Sequence, residues 1–220
     1  MPSDTKENYL KAIYSLEENG EKISLSALSK RIDVSIPTVN NMVKRLQEEG
    51  WVIYEKYKPI ILTDEGRKVA SHIVRKHRLA EMFLVETMGL GWEEVHDIAE
   101  DLEHINSETF FNRIDEMLDY PKFDPHGTPI PDKNGKTVSQ NYESLSAIEP
   151  GQSAVLRALD HEQKEFLVFL NKKNIALGTE IKIEEKEPFD ESVVVAYDQF
   201  KNVVLTKDVC DKLLVEKVHK

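Results

Sequence analysis

The sequence lacks the features that secreted and membrane proteins usually carry. Its 220 residues include a single cysteine, Cys210, so no disulfide can form within the chain. The longest apolar runs, such as residues 193–197, are far shorter than the roughly 20 residues that a membrane-spanning helix needs. The polar start of the chain shows no signal-peptide pattern. These absences predict a cytoplasmic protein with no membrane partner.

Positive charge is also scarce, which limits how the protein can contact nucleic acid. Lys and Arg number 29 against 40 Asp and Glu, and the net charge is −11. The whole surface therefore cannot attract DNA, and any DNA contact must use a local basic patch. Residues 1–63 are an exception to the acidic balance, because they contain 9 basic and 9 acidic residues. This asymmetry favours DNA contact by that part of the chain.

Residues 1–63 have the order of elements of a winged helix-turn-helix. Apolar residues at helical spacing predict three helices, and Pro37 falls in the first turn of the third. We also expect a short strand at Ile23, and a hairpin formed by residues 51–54 and 60–62.

The third helix has the composition of a helix that reads a DNA groove. Asn side chains can bond base edges, Thr offers a methyl or a hydroxyl group, and Lys and Arg hold phosphates. The hairpin tip adds two lysines. The predicted DNA contacts are Ser35, Pro37, Thr38, Asn40, Asn41, Lys44, Arg45, Lys56 and Lys58. A winged-helix module that binds another protein is the alternative interpretation.

Residues 96–104 combine metal-ligand side chains with a helical apolar pattern. A helix advances about 100° per residue, so the four His and Glu side chains share an arc of about 100°. They are His96, Glu100, Glu103 and His104. The apolar residues on the rest of the circle, which we expect to face a core, are Val95, Ile98, Ala99, Leu102 and Ile105. Simple solvated side chains are the alternative.

A second group of ligand-type residues lies upstream. His77 and Glu81 are one helical turn apart, in a helix predicted for residues 64–88. Glycines separate this helix from the next, so an antiparallel hairpin could bring the pair against His96. Two groups of nitrogen and oxygen ligands with almost no sulfur predict binding of divalent cations.

The composition predicts four segments and an α+β fold. A winged helix-turn-helix over residues 1–63 is followed by a helical region, 64–120, whose surplus apolar surface suggests dimerisation. Residues 121–146 form a proline-containing linker. Residues 147–220 alternate short strands with one helix, which is typical of a small SH3-like β-barrel.

In combination these motifs resemble the diphtheria-toxin-repressor family of metal-dependent transcriptional regulators. The matching features, in order, are the winged helix, Arg75-Lys76-His77-Arg78-Leu79-Ala80-Glu81, Val95-His96-Asp97, Glu100-x-x-Glu103-His104 and residues 125–131. The resemblance covers almost the whole chain. It implies a homodimer that binds a palindromic double-stranded operator when metal is bound and represses metal-uptake genes.

The resemblance also implies two metal sites per subunit. His77, Glu81 and His96 match the ancillary site, and Glu100, Glu103 and His104 match the primary, regulatory site. In the family, Cys at position 100 goes with iron sensing and Glu with manganese sensing. Glu100 is a hard oxygen donor, so we expect Mn²⁺ rather than Fe²⁺ as the cofactor.

Further ligands are implied at two places. Family members add a Met or Asp from the first helix to the primary site, and that position is Asn8 here; neighbouring Glu7 and Lys11 offer no clear substitute. In the family, the SH3-like domain also supplies ligands to the ancillary site. The candidates in the matching segment are Asp160, Glu162 and Glu165. No role is predicted for His72, His126, His161 and His219.

The predicted mechanism is linkage between metal binding and DNA binding. Metal fixes the winged helix relative to the dimer core, so two third helices stand about one DNA turn apart. One alternative is a winged-helix regulator that metal does not control. Another is a dinuclear metal hydrolase, but the sequence has no nucleophile elbow, phosphate loop or HExxH pattern, so we expect a protein that is not an enzyme.

Overall fold

The structure is a computed structural model that describes residues 3–160 and 162–218. The chain divides into two compact units, each discontinuous in sequence. The first unit comprises Met1–Ala80, Ala99–Tyr120 and Ile130–Thr137. The second unit comprises Glu81–Ile98, Pro121–Pro129 and Val138–Lys220.

Helices and strands are mixed along the chain, which confirms the α+β class. The α-helices of the described residues are α1 (Asp4–Glu18), α2 (Leu25–Arg31), α3 (Ile36–Glu48), α4 (Asp64–Glu86), α5 (Val95–Glu103), α6 (Glu108–Met117), α7 (Lys164–Lys172) and α8 (Lys207–Lys212). The strands are β1 (Val52–Ile53), β2 (Ile61–Leu62), β3 (Glu143–Ser144), β4 (Ser153–Leu159), β5 (Glu180–Lys186), β6 (Val193–Tyr197), β7 (Phe200–Leu205) and β8 (Leu213–Lys217). None of these helices is both long and apolar enough to cross a membrane.

The amino-terminal elements form the predicted winged helix. The apolar stripes of α1, α2 and α3 bury Ile13, Leu28 and Leu46 completely in one core. The N-cap hydroxyl of Ser24 accepts a hydrogen bond from the first turn of α2, and β1 pairs with β2 as the antiparallel wing. The strand predicted at Ile23 is absent; its carbonyl accepts one hydrogen bond from the backbone of Ile60, which does not make a ladder.

The helix α4 contacts both α6 and the segment that follows α6 in the first unit. Arg75 of this helix forms an ion pair with Asp115 of α6 and also donates to the carbonyl of Pro131 at 2.7 Å. Both side chains of the ion pair are nearly inaccessible to water. The chain after α6 is therefore held against α4 by a buried guanidinium.

The helix α5 is shorter than the sequence predicts. It runs from Val95 to Glu103, whereas the sequence analysis placed all the residues from 95 to 105 on one helix. The expected core face is only partly correct, because Val95 and Ala99 are buried but Ile98 and Ile105 are exposed by 40% and 37%. Ending the helix at Glu103 places His104 in a turn.

The second unit contains the predicted SH3-like sheet. Its six strands follow the order β3-β8-β4-β5-β6-β7, and all neighbours are antiparallel. The period-two pattern of β5 buries Ile181 and Ile183 on one face, as expected for a half-buried strand. The helices α7 and α8 add Leu167, Leu170 and Cys210 to the same core.

Candidate metal centres and DNA-binding surface

The first candidate metal centre is built around the carboxylate of Glu103, at the end of α5. This side chain is fully buried. Its Oε2 accepts hydrogen bonds from Lys11 Nζ at 2.9 Å and from His77 Nδ1 at 2.6 Å. Its Oε1 has no hydrogen-bond partner among the described residues and lies 3.9 Å from His104 Nε2. One oxygen of the carboxylate is therefore occupied and the other is open to a ligand.

The surroundings of Glu103 keep it ionised. Burial alone would raise its pKa, but the hydrogen bond from His77 and the positive charge of Lys11 lower the pKa below its usual value. A carboxylate that stays charged in a buried position can act as a metal ligand without first losing a proton.

His104 joins this group from the turn after α5. Its Nδ1 lies 2.7 Å from Oε2 of Glu7, which is itself buried. A carboxylate only accepts hydrogen bonds, so Nδ1 must carry the proton, and the lone pair is on Nε2, on the side of Glu103. Asp4, Glu7 and His104 each offer a ligand atom within 4.8 Å of the others.

The structure places the residues of α1 differently from the sequence-based prediction. Asn8 is exposed, whereas Glu7 contacts His104 and Lys11 contacts Glu103. The sequence analysis found no clear substitute ligand in Glu7 or Lys11; the structure brings both to this centre, Glu7 as a carboxylate and Lys11 as a cation. Asp4, Glu7 and Lys11 are spaced i, i+3 and i+7 and so share one helical face, but this spacing does not identify the residues that the face contacts.

Glu100 lies at the edge of the same centre. Its side chain is about half exposed, and Oε1 accepts a hydrogen bond from Lys11 Nζ at 3.1 Å. Lys11 therefore bridges Glu100 and Glu103, the two predicted acids of α5. His77, which was predicted for the other site, contacts Glu103 as well.

The second candidate metal centre lies in the second unit, around Glu81 of α4. Glu81, His126 and Glu162 each offer a ligand atom within 4.8 Å of the others, and Glu81 and His126 are essentially inaccessible. His96 Nδ1 lies 3.3 Å from Glu81 Oε1, which agrees with the predicted pairing of these two residues. His77 is one turn before Glu81 on the same helix.

His126 is the residue that the sequence analysis missed. Its Nε2 is 3.0 Å from the carbonyl oxygen of Trp92, and the two rings stack with centroids 6.1 Å apart. The carbonyl can only accept, so Nε2 carries a proton, and in the neutral ring Nδ1 has the lone pair that a metal ion requires. Nδ1 has no hydrogen-bond partner among the described residues and lies 3.9 Å from Glu81 Oε2. The Pro125-His126-Gly127 segment lies in a matching motif and could have been used to find it.

Acidic neighbours dominate the electrostatics of the second centre. Burial would lower the pKa of His126, but the charges of Glu81, Glu162 and Asp124 raise it above the usual value. Oδ1 of Asp124 accepts hydrogen bonds from the backbone amides of His126 and Thr128, both at 2.9 Å, so it shapes the turn that carries the imidazole.

The residues predicted in the SH3-like segment are not equivalent. Only Glu162 joins the grouped ligands, and its Oε1 also accepts a hydrogen bond from Thr128 at 3.2 Å. Asp160 and Glu165 are exposed. His161 and His219 lie outside the described residues, and His72 is exposed on α4.

The predicted DNA-binding surface is mostly exposed. On α3, Thr38, Asn41, Lys44 and Arg45 face solvent. Asn40 is half-buried, and its Oδ1 accepts a hydrogen bond from the hydroxyl of Tyr54, near the wing. That oxygen is already engaged by the protein, which sets Asn40 apart from its neighbours.

The ends of this surface are exposed as well. At the start of α3, Ser35 and Pro37 face solvent, and the Ser35 hydroxyl bonds that of Thr38 at 2.9 Å. At the tip of the wing Lys56 and Lys58 flank Tyr57, whose side chain is 90% exposed.

Both centres fit a divalent cation. Their donors are imidazole nitrogens and carboxylate oxygens, the set preferred by borderline and hard ions such as Mn²⁺ and Fe²⁺. Glu103 Oε1 in the first centre and His126 Nδ1 in the second are buried candidate ligand atoms that make no hydrogen bond within the described residues. Cys210 is buried in the core of the SH3-like sheet and contributes to neither centre.

Three protein-family models match successive parts of the chain. The "Iron dependent repressor, N-terminal DNA binding domain" matches residues 1–60, and the "Iron dependent repressor, metal binding and dimerisation domain" matches residues 63–132. A FeoA domain matches residues 143–217.

Several relatives cover nearly the whole chain. The diphtheria toxin repressor of Corynebacterium efficiens is 34% identical over 98% of this chain and 96% of its own. The iron-dependent repressor IdeR of Mycobacterium tuberculosis is 32% identical over 98% of both chains. A solved manganese-dependent transcriptional repressor in complex with manganese is 32% identical, covers 97% of this chain and 100% of its own, and has a TM-score of 0.89. This chain therefore belongs to the iron-dependent repressor family, as the order of its motifs predicted.

Proposed function

We propose that the protein is a cytoplasmic transcriptional repressor whose binding to DNA depends on Mn²⁺ or Fe²⁺. The observation that carries this proposal is the first metal centre. Asp4 and Glu7 come from α1 of the winged helix, while Glu103 and His104 come from α5 and the turn that follows it. An ion held there joins the DNA-binding elements to the helical part of the same unit.

The chain's own residues account for the dependence on metal. In the absence of a cation, the carboxylates of Asp4, Glu7 and Glu103 repel one another, and this repulsion opposes the contacts that Lys11 and His104 make between α1 and α5. A bound divalent ion supplies the positive charge that removes this repulsion. The hydrogen bond from His104 to Glu7 and those from Lys11 and His77 to Glu103 fix the donor atoms before binding.

The proposed ligands form two sites per subunit. Glu103 and His104, with Glu100 and an acid of α1, hold the regulatory ion. Glu81, His96, His126 and Glu162 hold the ancillary ion. The preference for Mn²⁺ rests on the carboxylate-rich donor set. It agrees with the manganese complex among the similar solved structures, which also include ScaR with Cd²⁺ or Zn²⁺.

We further propose a homodimer that reads a palindromic operator of metal-uptake genes. The exposed residues of α3 enter the major groove and the wing lysines contact phosphates. Exposed Phe110 and Met117 on α6 offer apolar surface to a second subunit. The proposed divisions are residues 1–63 for DNA binding, 64–120 for dimerisation and metal binding, 121–146 for the linker and 147–220 for the SH3-like domain.

A direct experiment is to select duplexes from a random pool in the presence of Mn²⁺ and to measure their affinity by fluorescence anisotropy. We expect binding with Mn²⁺ or Fe²⁺ and a loss of about 5- to 150-fold in chelator, the range of typical allosteric coupling. Equal affinity in all three conditions would instead support a winged-helix regulator that metal does not control. No arrangement in the described residues favours an enzyme, and we propose none.

A further inference from the structure

One lysine occupies an unusual place in the first metal centre. The ammonium of Lys11 lies 3.1 Å from Glu100 Oε1 and 2.9 Å from Glu103 Oε2, and its side chain is only 18% exposed. A lysine is seldom buried to this extent unless carboxylates neutralise it. Lys11 thus lies between two carboxylates that could themselves bridge a pair of metal ions.

The two oxygens of Glu103 have different surroundings. Lys11 and His77 both contact Oε2, whereas Oε1 is buried without a hydrogen bond and faces His104 Nε2 at 3.9 Å. The side of the carboxylate toward Glu100 and Lys11 already has a cation. The side toward His104, Glu7 and Asp4 does not. Another nearby lysine, Lys76, contacts the main-chain carbonyl of Glu103 and leaves its carboxylate to Lys11.

We propose that Lys11 is a built-in cation that takes the place of a second metal ion, and so restricts the regulatory centre to a single ion. The inference depends on the proposed function, because it concerns how that centre loads. Its ammonium neutralises the inner face of the Glu100–Glu103 pair. It also weakens the attraction of that pair for the one ion that binds, since two positive charges a few ångströms apart repel each other.

If Lys11 takes the place of an ion, removing its charge should raise the affinity for Mn²⁺, whereas removing a structural salt bridge should lower it. A neutral side chain at position 11 should make the centre bind Mn²⁺ about tenfold or more tightly, because a like charge has been removed at close range. A carboxylate at position 11 should admit one further ion per subunit. A structural role for Lys11 predicts weaker binding in both variants.

The test compares metal binding by the full chain in wild type, Lys11→Gln, Lys11→Glu and Lys11→Arg. Lys6→Gln is the matched control, since Lys6 is on the same helix but pairs with Glu49, away from the centre. Isothermal titration gives affinity and ion count with Mn²⁺ alone, and electron paramagnetic resonance detects spin coupling between neighbouring Mn²⁺ ions. Circular dichroism checks the folding of each variant.

The expected result is tighter binding by Lys11→Gln and an additional, spin-coupled ion in Lys11→Glu, with Lys11→Arg and Lys6→Gln behaving like wild type. The inference is overturned if Lys11→Gln binds no more tightly than Lys6→Gln, or if Lys11→Glu gains no ion. Failure of the wild type itself to bind Mn²⁺ would instead overturn the proposed function, so the two failures are distinguishable.

Discussion

At the scale of single residues, one hydrogen bond orients the imidazole ring of each candidate ligand, His104 and His126. Glu7 accepts a hydrogen bond from Nδ1 of His104, and the Trp92 carbonyl accepts one from Nε2 of His126. In both rings the other nitrogen lies on the side of a buried glutamate and has a lone pair when the ring is neutral. Sequence spacing could identify His104 as a candidate ligand, but it could not identify the acceptor that orients its ring.

Replacing His126 tests the residue that the sequence analysis missed. We expect His126→Ala to lose about one Mn²⁺ per subunit. Its buried Nδ1 is a proposed ligand of the second centre, and alanine offers no atom that could bind the ion instead. Mass-spectrometric metal analysis of the dialysed protein measures the count. His72→Ala, which changes an exposed histidine of α4, should leave it unaltered. An unchanged count in His126→Ala would remove this residue from the site.

Cys210 should be chemically inert in the folded protein. Burial raises the pKa of its thiol to about 12, so almost no thiolate is present at pH 8. We expect the native chain to react with a disulfide reagent at less than about 1% of the rate seen in guanidinium, where the pKa returns to about 8.5. Fast reaction of the native chain would show that the thiol is accessible.

At the scale of elements, the ion pair between α4 and α6 is the contact most sensitive to substitution. Arg75→Ala would leave Asp115 charged and buried, which typically costs about 3–5 kcal/mol of unfolding free energy. Urea denaturation measures this cost. Arg113→Ala removes an exposed pair with Glu116 and should cost less than about 1 kcal/mol. Similar values for both variants would mean that the Arg75 pair is solvated.

Substitutions on the helix α3 should affect DNA binding in two different ways, through base recognition or through phosphate contact. Exposed Asn41 can bond a base edge, so Asn41→Ala should cost about 1–3 kcal/mol on the selected operator and little on random DNA. Lys44→Ala should weaken binding to the operator and to random DNA alike. It should also reduce the slope of log affinity against log salt concentration by about one, the value for one lost phosphate contact. Anisotropy titrations at several salt concentrations separate the two effects. A uniform loss in Asn41→Ala would contradict a role in base recognition.

Periodicity predicted the elements better than it predicted their ends. The stripes of α3 and the alternation of β5 were strong enough to identify both elements from local sequence. The ends of α5 and the lack of a strand at Ile23 depend on neighbours distant in sequence, which local patterns do not contain. The same limit explains Glu7 and Lys11, whose partners lie about ninety residues further along the chain.

At the scale of the whole molecule, the helix α5 carries residues of both candidate metal centres. The helix α5 begins with His96, beside Glu81 in the second unit, and ends with Glu103 in the first. The family was recognisable from sequence because the motifs on α4 and α5 are local and occur in order. Which side chains of α1 approach Glu103 and His104 emerged only from the folded chain.

The most direct test of the account is the operator affinity of wild type, His104→Ala and His72→Ala over a range of Mn²⁺ concentrations. Wild type and His72→Ala should gain affinity together as Mn²⁺ rises, by about 5- to 150-fold. His104→Ala, which lacks the Nε2 donor beside Glu103, should stay at the weak affinity seen in chelator. If His104→Ala gained affinity at the same Mn²⁺ concentration and to the same extent as wild type, metal at this centre would not control DNA binding.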